Sequence, residues 1–256
     1  MNDVLFAFLL TLFAGLSTGV GGVIAIFAKR TNYKFLSLCL SFSAGVMIYI
    51  SFVEIFDKAK EGMQYEYGYE TGMAFVTLAF FVGVALLALI DKLIPHHEDT
   101  EATKEDDKSL KRTGIMSAVA IAIHNFPEGL ITFMAAMHDP ALGVSIAIAI
   151  ALHNIPEGVA ISAPIYYATG SKKKALLLSI GSGLTEPLGA LGAYFLLSQI
   201  FHEGLFGVVF AAVGGMMVFV AVHQLLPASN KYGSHHTVMK GFFAGMIVIA
   251  LSLIFI

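Results

Sequence analysis

The chain has 256 residues, 57% hydrophobic and 13% charged, with a mean hydropathy of +0.79. A soluble domain carries roughly a quarter charged residues, so the composition excludes that class and indicates a polytopic all-α membrane protein. The net charge of −3 offers no basic surface for nucleic acid, and the single cysteine, Cys39, excludes an internal disulfide and any Cys-X-X-Cys metal or redox motif.

A helix crossing the bilayer needs roughly 20 apolar residues. Eight stretches qualify: 4–27, 35–56, 73–90, 113–137, 143–168, 176–200, 207–226 and 241–256. No basic residue precedes the first and no small-residue cleavage pattern follows it, so it reads as a retained span and not a signal peptide. No linker is long enough for a second domain, and residues 1–256 read as one transmembrane domain. The longest connection, 91–112, is polar and of mixed charge; a disordered cytosolic loop is expected there.

Basic residues set the orientation. Lys29, Arg30 and Lys34 follow span one; Lys92, Lys104, Lys108, Lys111 and Arg112 follow span three. Lys172, Lys173 and Lys174 follow span five, and Lys231 and Lys240 follow span seven. Thirteen of the 15 basic residues thus lie on one side, and only Lys58 and Lys60 on the other. Basic loops stay in the cytoplasm, so both termini are expected outside, on a multi-pass protein of the cell membrane.

The string His-Asn-X-Pro-Glu-Gly occurs twice, at His124-Asn125-Phe126-Pro127-Glu128-Gly129 and His153-Asn154-Ile155-Pro156-Glu157-Gly158. The copies lie in consecutive, hence antiparallel, spans. Ala44-Gly45-Val46-Met47-Ile48-Tyr49 of span two is echoed by Gly214-Gly215-Met216-Met217-Val218-Phe219 of span seven. Similarity between oppositely directed spans marks inverted repeats, which place substrate near the midplane. The expected fold has eight helices, with spans one to three repeated in spans six to eight around kinked spans four and five.

Each motif holds a histidine and a glutamate at i and i+4, on one helix face. Imidazole nitrogen with carboxylate oxygen suits Zn²⁺ and Fe²⁺. The asparagines point about 100° round the helix and offer amide oxygens to an adjoining position. Each proline removes a donor, so the carbonyls of Ile123 and Leu152 are expected to be freed. Span six adds Glu186, beside Pro187; Glu54 lies towards the outer end of span two, and His223 and Gln224 stand at the matching place in span seven. The bland reading of each motif is a structural kink with mutually paired polar groups. Two identical copies at membrane depth weigh against it, because six polar groups there are costly.

These paired helices resemble spans four and five of the ZIP family of divalent-metal transporters, and the length and span count resemble its bacterial members in particular. The resemblance covers essentially the whole chain. It implies import of Zn²⁺, with Fe²⁺, Mn²⁺, Co²⁺ or Cd²⁺ also accepted, as cargo and not as cofactor. It also implies a binuclear site bridged by Glu128 and Glu157. One position would use His124, Glu128, His153 and Glu157; the other would use Asn125, Glu128, Asn154, Glu157 and Glu186. Met47 falls where some relatives place a thioether near the metal, and His96 and His97 lie where many carry a histidine-bearing cytosolic loop. A homodimer is compatible with the sequence.

No nucleotide-binding Gly-rich loop is present to drive transport with ATP. An enzyme is not expected: an intramembrane metalloprotease uses His-Glu-X-X-His, and neither motif has a second histidine at i+4. An exporter or proton antiporter would use the same ligands, and a scaffold would bind no metal.

Overall fold

The computed structural model describes residues 3–27, 33–93, 107–197 and 202–255. Among them the regular elements are all helical, and eight helices are long and apolar enough to cross a membrane. Span one is Asp3–Phe27. Span two is Tyr33–Ile50, one wide turn Ser51–Ile55, then Phe56–Tyr67. Span three is Tyr69–Leu93, span four lies in Asp107–His138, and span five is Pro140–Thr169. Span six is Lys172–Gly183, then Thr185–Gly192 and Ala193–Leu197. Span seven is Glu203–Val220, Ala221–Leu225 and Leu226–Tyr232, and span eight is His235–Phe255.

The helices outrun the apolar stretches, because hydropathy does not register polar helical ends. Phe56–Tyr67 is held by i,i+3 ion pairs, Lys58 with Glu61 and Lys60 with Asp57. Residues 91–93 and 107–112, assigned from sequence to a loop, are likewise helical. Residues 94–106, with His96 and His97, lie outside the described residues.

Turn chemistry sets the helix order. Gly68, at φ 77°, ends span two, and Gly170, at φ 64°, ends span five; both conformations favour glycine. Asp139 caps span five by accepting a bond from the Ala141 amide at 2.9 Å, and Pro140 supplies the first turn. Asp139 alone separates the helix ending at His138 from the one starting at Pro140. Spans four and five are therefore an antiparallel hairpin, which sets the two motifs side by side.

The spans form two groups. Spans one, four, five and six pack together, as do two, three, seven and eight; the groups meet chiefly along span two with five and span four with seven. Spans four and five are the most enclosed, three and eight the most exposed. Large apolar side chains such as Leu78, Phe81 and Ile254 lie on the outer surface, a face suited to lipid.

Close helix approach rests on glycine. A methyl on Gly129 would strike the backbone of Glu186, and one on Gly189 the backbone of Phe126. Gly158 meets Thr18 in the same way, and Gly21 meets Ile155. These contacts reveal the internal symmetry. A shift of 29 residues carries Phe126 and Gly129 to Ile155 and Gly158; a shift of 168 carries Thr18 and Gly21 to Glu186 and Gly189. Gly15 and Gly183, also 168 apart, contact each other, as residues on a two-fold axis must. Spans two and three repeat as seven and eight: Gly45 packs on Phe242 and Gly245 on Phe42, while Gly215 packs on Phe80 and Gly83 on Ala212. The expected inverted repeat is present.

The motif prolines lie within continuous helices. Spans four and five run unbroken through Pro127 and Pro156. The interruptions lie elsewhere. Span six breaks at Leu184, three residues before Pro187. Spans two and seven each contain a π turn, in which the Phe56 amide bonds the Ser51 carbonyl and the Leu226 amide bonds the Ala221 carbonyl.

Candidate metal centre

The hairpin brings the two motifs together crosswise. His124 Nε2 lies 3.3 Å from Glu157 Oε2, and His153 Nε2 lies 3.2 Å from Glu128 Oε2. The i,i+4 partners on each helix share a face, yet each histidine bonds the glutamate of the other helix. His153, Glu128 and Glu157 are wholly buried and His124 nearly so. The two distances are at the long end for N–H···O bonds. In the neutral ring this pairing puts the proton on Nε2 and leaves a lone pair on Nδ1. Nδ1 of both histidines finds no hydrogen-bond partner among the described residues.

The asparagines are equally buried. Asn154 Nδ2 donates to the Ala14 carbonyl at 3.0 Å and to Glu186 Oε1. A carbonyl can only accept, so the amide orientation is fixed and Oδ1 is the free end. Asn125 has neither polar atom bonded, and one oxygen each of Glu128, Glu186 and Asn154 is also unpartnered among the described residues. A buried polar group left unbonded costs about 1–3 kcal/mol, so these six residues carry more unmet oxygen and nitrogen than a structural kink needs. The break at Leu184 places Glu186 in the first turn of Thr185–Gly192, wholly buried, facing the Asn154 amide.

Among the described residues, three or more His, Cys, Asp or Glu side chains are not gathered into a ready ligand cluster. The carboxylates and imidazoles bond one another in pairs, and an ion would have to replace those bonds.

Two contributors were not legible in the sequence. Ser43, buried in span two, donates to the His153 carbonyl at 3.3 Å and to Glu157 Oε1 at 3.4 Å. Serine is common in membrane helices, and nothing in its neighbours marked it. Asp91, assigned from sequence to the loop, is buried in span three, accepts from Gln224 Nε2 at 2.9 Å, and lies 3.2 Å from His223 Nε2. Asp91 and Gln224 line a small crevice that also touches His124. Glu54 sits on the π turn of span two, partly buried, and Met47 is buried in the core.

A family model described as ZIP zinc transporter matches residues 92–253. The chain is 55% identical to the zinc transporter ZupT of Chlorobium chlorochromatii, over 99% of this chain and 98% of the relative. The chain belongs to the ZIP family. ZupT proteins of Streptococcus mutans and Clostridium perfringens are 51% and 49% identical, over 99% of this chain and 99% and 97% of theirs. The ZIP match begins at Lys92 and so includes both motifs and Glu186; the relatives extend the likeness through spans one to three.

Proposed function

We propose that this chain imports zinc across the cell membrane into the cytoplasm, as cargo passing through a binuclear site at mid-depth. The crosswise His124–Glu157 and His153–Glu128 pairs carry the reading: two equivalent nitrogen–oxygen donor pairs, buried in antiparallel helices. Nitrogen with carboxylate suits zinc and its borderline neighbours iron, cobalt and cadmium; the amide oxygens of Asn125 and Asn154 extend the range to manganese. In this reading Glu128 and Glu157 bridge two ions, with Glu186 completing the oxygen-rich position. Asp91, His223 and Gln224 offer a polar step between His124 and the basic, cytoplasmic side. Both termini lie outside, as the basic loops require.

Inward movement follows the membrane potential. A dication gains roughly 2 × 2.3 kcal/mol at 100 mV, inside negative, and no nucleotide is needed. Access alternates as the four-span group holding the motifs shifts against the other group.

The test is accumulation of zinc, iron, manganese, cobalt and cadmium in cells lacking their own importers, with the parent and with Glu157→Ala. Zinc accumulation with the parent and background with the variant is the expected result. Net zinc loss from cells expressing the parent would reverse the direction. Equal accumulation by parent and variant would remove the site.

A further inference from the structure

The inverted repeat assigns Glu186 a counterpart. Gly15-Leu16-Ser17-Thr18-Gly19-Val20-Gly21 of span one aligns with Gly183-Leu184-Thr185-Glu186-Pro187-Leu188-Gly189 of span six. The alignment is structural as well as textual. Gly15 and Gly183 touch across the axis. The Thr18 backbone packs on Gly158 as the Glu186 backbone packs on Gly129. Even the local side-chain bonds repeat: Ser17 Oγ donates to the Ala14 carbonyl at 2.6 Å, and Thr185 Oγ1 to the Ser182 carbonyl at 2.7 Å. Thr18 therefore stands beside the second motif where Glu186 stands beside the first.

The Thr18 side chain is wholly buried and its hydroxyl has no partner among the described residues. A helical threonine ordinarily bonds the carbonyl four residues back, as Thr11 bonds Ala7 and Thr132 bonds Glu128. For Thr18 that carbonyl is Ala14, which already accepts from Ser17 and from Asn154. The hydroxyl is thus displaced from its usual partner by the amide that also holds Glu186. On the opposite arm of the repeat, the Asn125 amide is likewise unbonded.

We infer that Thr18 is an affinity-setting member of the metal centre: a neutral hydroxyl at the place where exact symmetry would put a fourth carboxylate. The inference rests on the metal-centre reading above. Its consequence is electrostatic. Two divalent ions bring four positive charges, and Glu128, Glu157 and Glu186 supply three negative ones. The loaded site keeps one uncompensated positive charge, which favours release. A fourth carboxylate would neutralise it and, in a low-dielectric interior, hold the ions far more tightly.

The test uses purified full-length protein in nanodiscs, Zn²⁺ binding by calorimetry, and uptake in proteoliposomes. Thr18→Val keeps the shape and removes the oxygen; the second Zn²⁺ should bind about tenfold more weakly, and Thr18→Ser should recover most of that loss. Thr18→Asp, similar in size, should bind Zn²⁺ more tightly yet turn over more slowly, a split between KM and kcat that a packing role does not produce. In Glu186→Thr the second ion should be lost, and adding Thr18→Asp should regain it. The Val and Ser pair decides even where the charged variants fail to fold. Thr18→Val binding both ions like the parent overturns the inference, whatever Glu186→Thr does. Parental binding in Glu157→Ala and Glu186→Thr alike would overturn the metal centre itself and Thr18's part in it.

Discussion

The two seams between the helix groups are related by the internal symmetry, yet they are packed differently. Where span two meets span five, a crevice of about 310 Å³ runs past Cys39, Phe42, Ile155 and Pro156. Where span seven meets span four, the equivalent crevice past Val209, Ala212, Phe126 and Pro127 is about 700 Å³. The first seam carries Ser43, bonded to Glu157 and to the His153 carbonyl. At the matching place in the second stands Val213, and Glu128 keeps an unpartnered oxygen. The motifs are identical in sequence and their surroundings are not. The proposed ligands of the motifs are thus the same on both sides, and the difference between the two sides lies in the spans that flank them.

The largest effect tests the equality of the motifs. Glu128→Ala and Glu157→Ala should each reduce zinc uptake to background at ordinary membrane abundance, since in the proposed site each glutamate serves both ions. Substantial uptake by one variant alone would mean that the seams, and not the motifs, decide which glutamate matters.

The helix contacts beside the motifs are equal too. Gly129→Val and Gly158→Val drive side chains into the backbones of Glu186 and Thr18, which cannot yield as a flexible side chain does. Each should cost at least the 1–3 kcal/mol of overpacking and lower the melting temperature by several degrees. Gly181→Ala in span six meets nothing within 4 Å and should leave it unchanged. Thermal unfolding of the three purified variants would show whether the two arms are equally strict.

Acidification probes both histidines together. Protonated imidazole cannot bind a cation, so lowering the pH from about 7.5 to about 5.5, across the ordinary imidazole value, should weaken equilibrium zinc binding about tenfold for each histidine that serves as a ligand. The sign is fixed: protons compete, so affinity falls as pH falls. A flat profile would exclude His124 and His153 as ligands. Steeper dependence in His124→Ala than in His153→Ala would show that the seams distinguish them.

The smallest effect addresses the seams directly. The Ser43–Glu157 bond is long, so its loss in Ser43→Ala should cost about 0.5–1 kcal/mol, a two- to fivefold change in the KM for zinc. Val213→Ser offers a hydroxyl to the other seam. A larger change from Val213→Ser than from Ser43→Ala would reverse their assigned importance.

The sequence was most legible where chemistry is costly. Seven polar residues at membrane depth announced a site, and all seven are buried around the hairpin of spans four and five or the break in span six. Apolar runs marked the spans, though not their polar ends, because Asp91 and Phe56–Tyr67 continue helices past the apolar stretch. Proline marked the two motif helices without ending either: Pro127 and Pro156 both lie inside continuous helices. Ser43 and Thr18 were invisible because a hydroxyl in a membrane helix is cheap. Their place becomes meaningful only once span two is set against span five and span one against span six.

Two of the three π turns among the described residues are related by the internal repeat and carry a record of descent. Ser51–Ile55 and Ala221–Leu225 are 170 residues apart, the same offset that relates Gly45 to Gly215. A π turn houses an extra residue in an α-helix, and an insertion at one point in two places is most economically inherited once. An ancestral three-span unit that already bore it, duplicated before the present chain arose, accounts for both copies. What the halves have since acquired is their inequality: Glu54 against Gln224 on those turns, Ser43 against Val213, and Thr18 against Glu186. Transplanting residues between equivalent positions, one pair at a time, would retrace that divergence towards a symmetric ancestor.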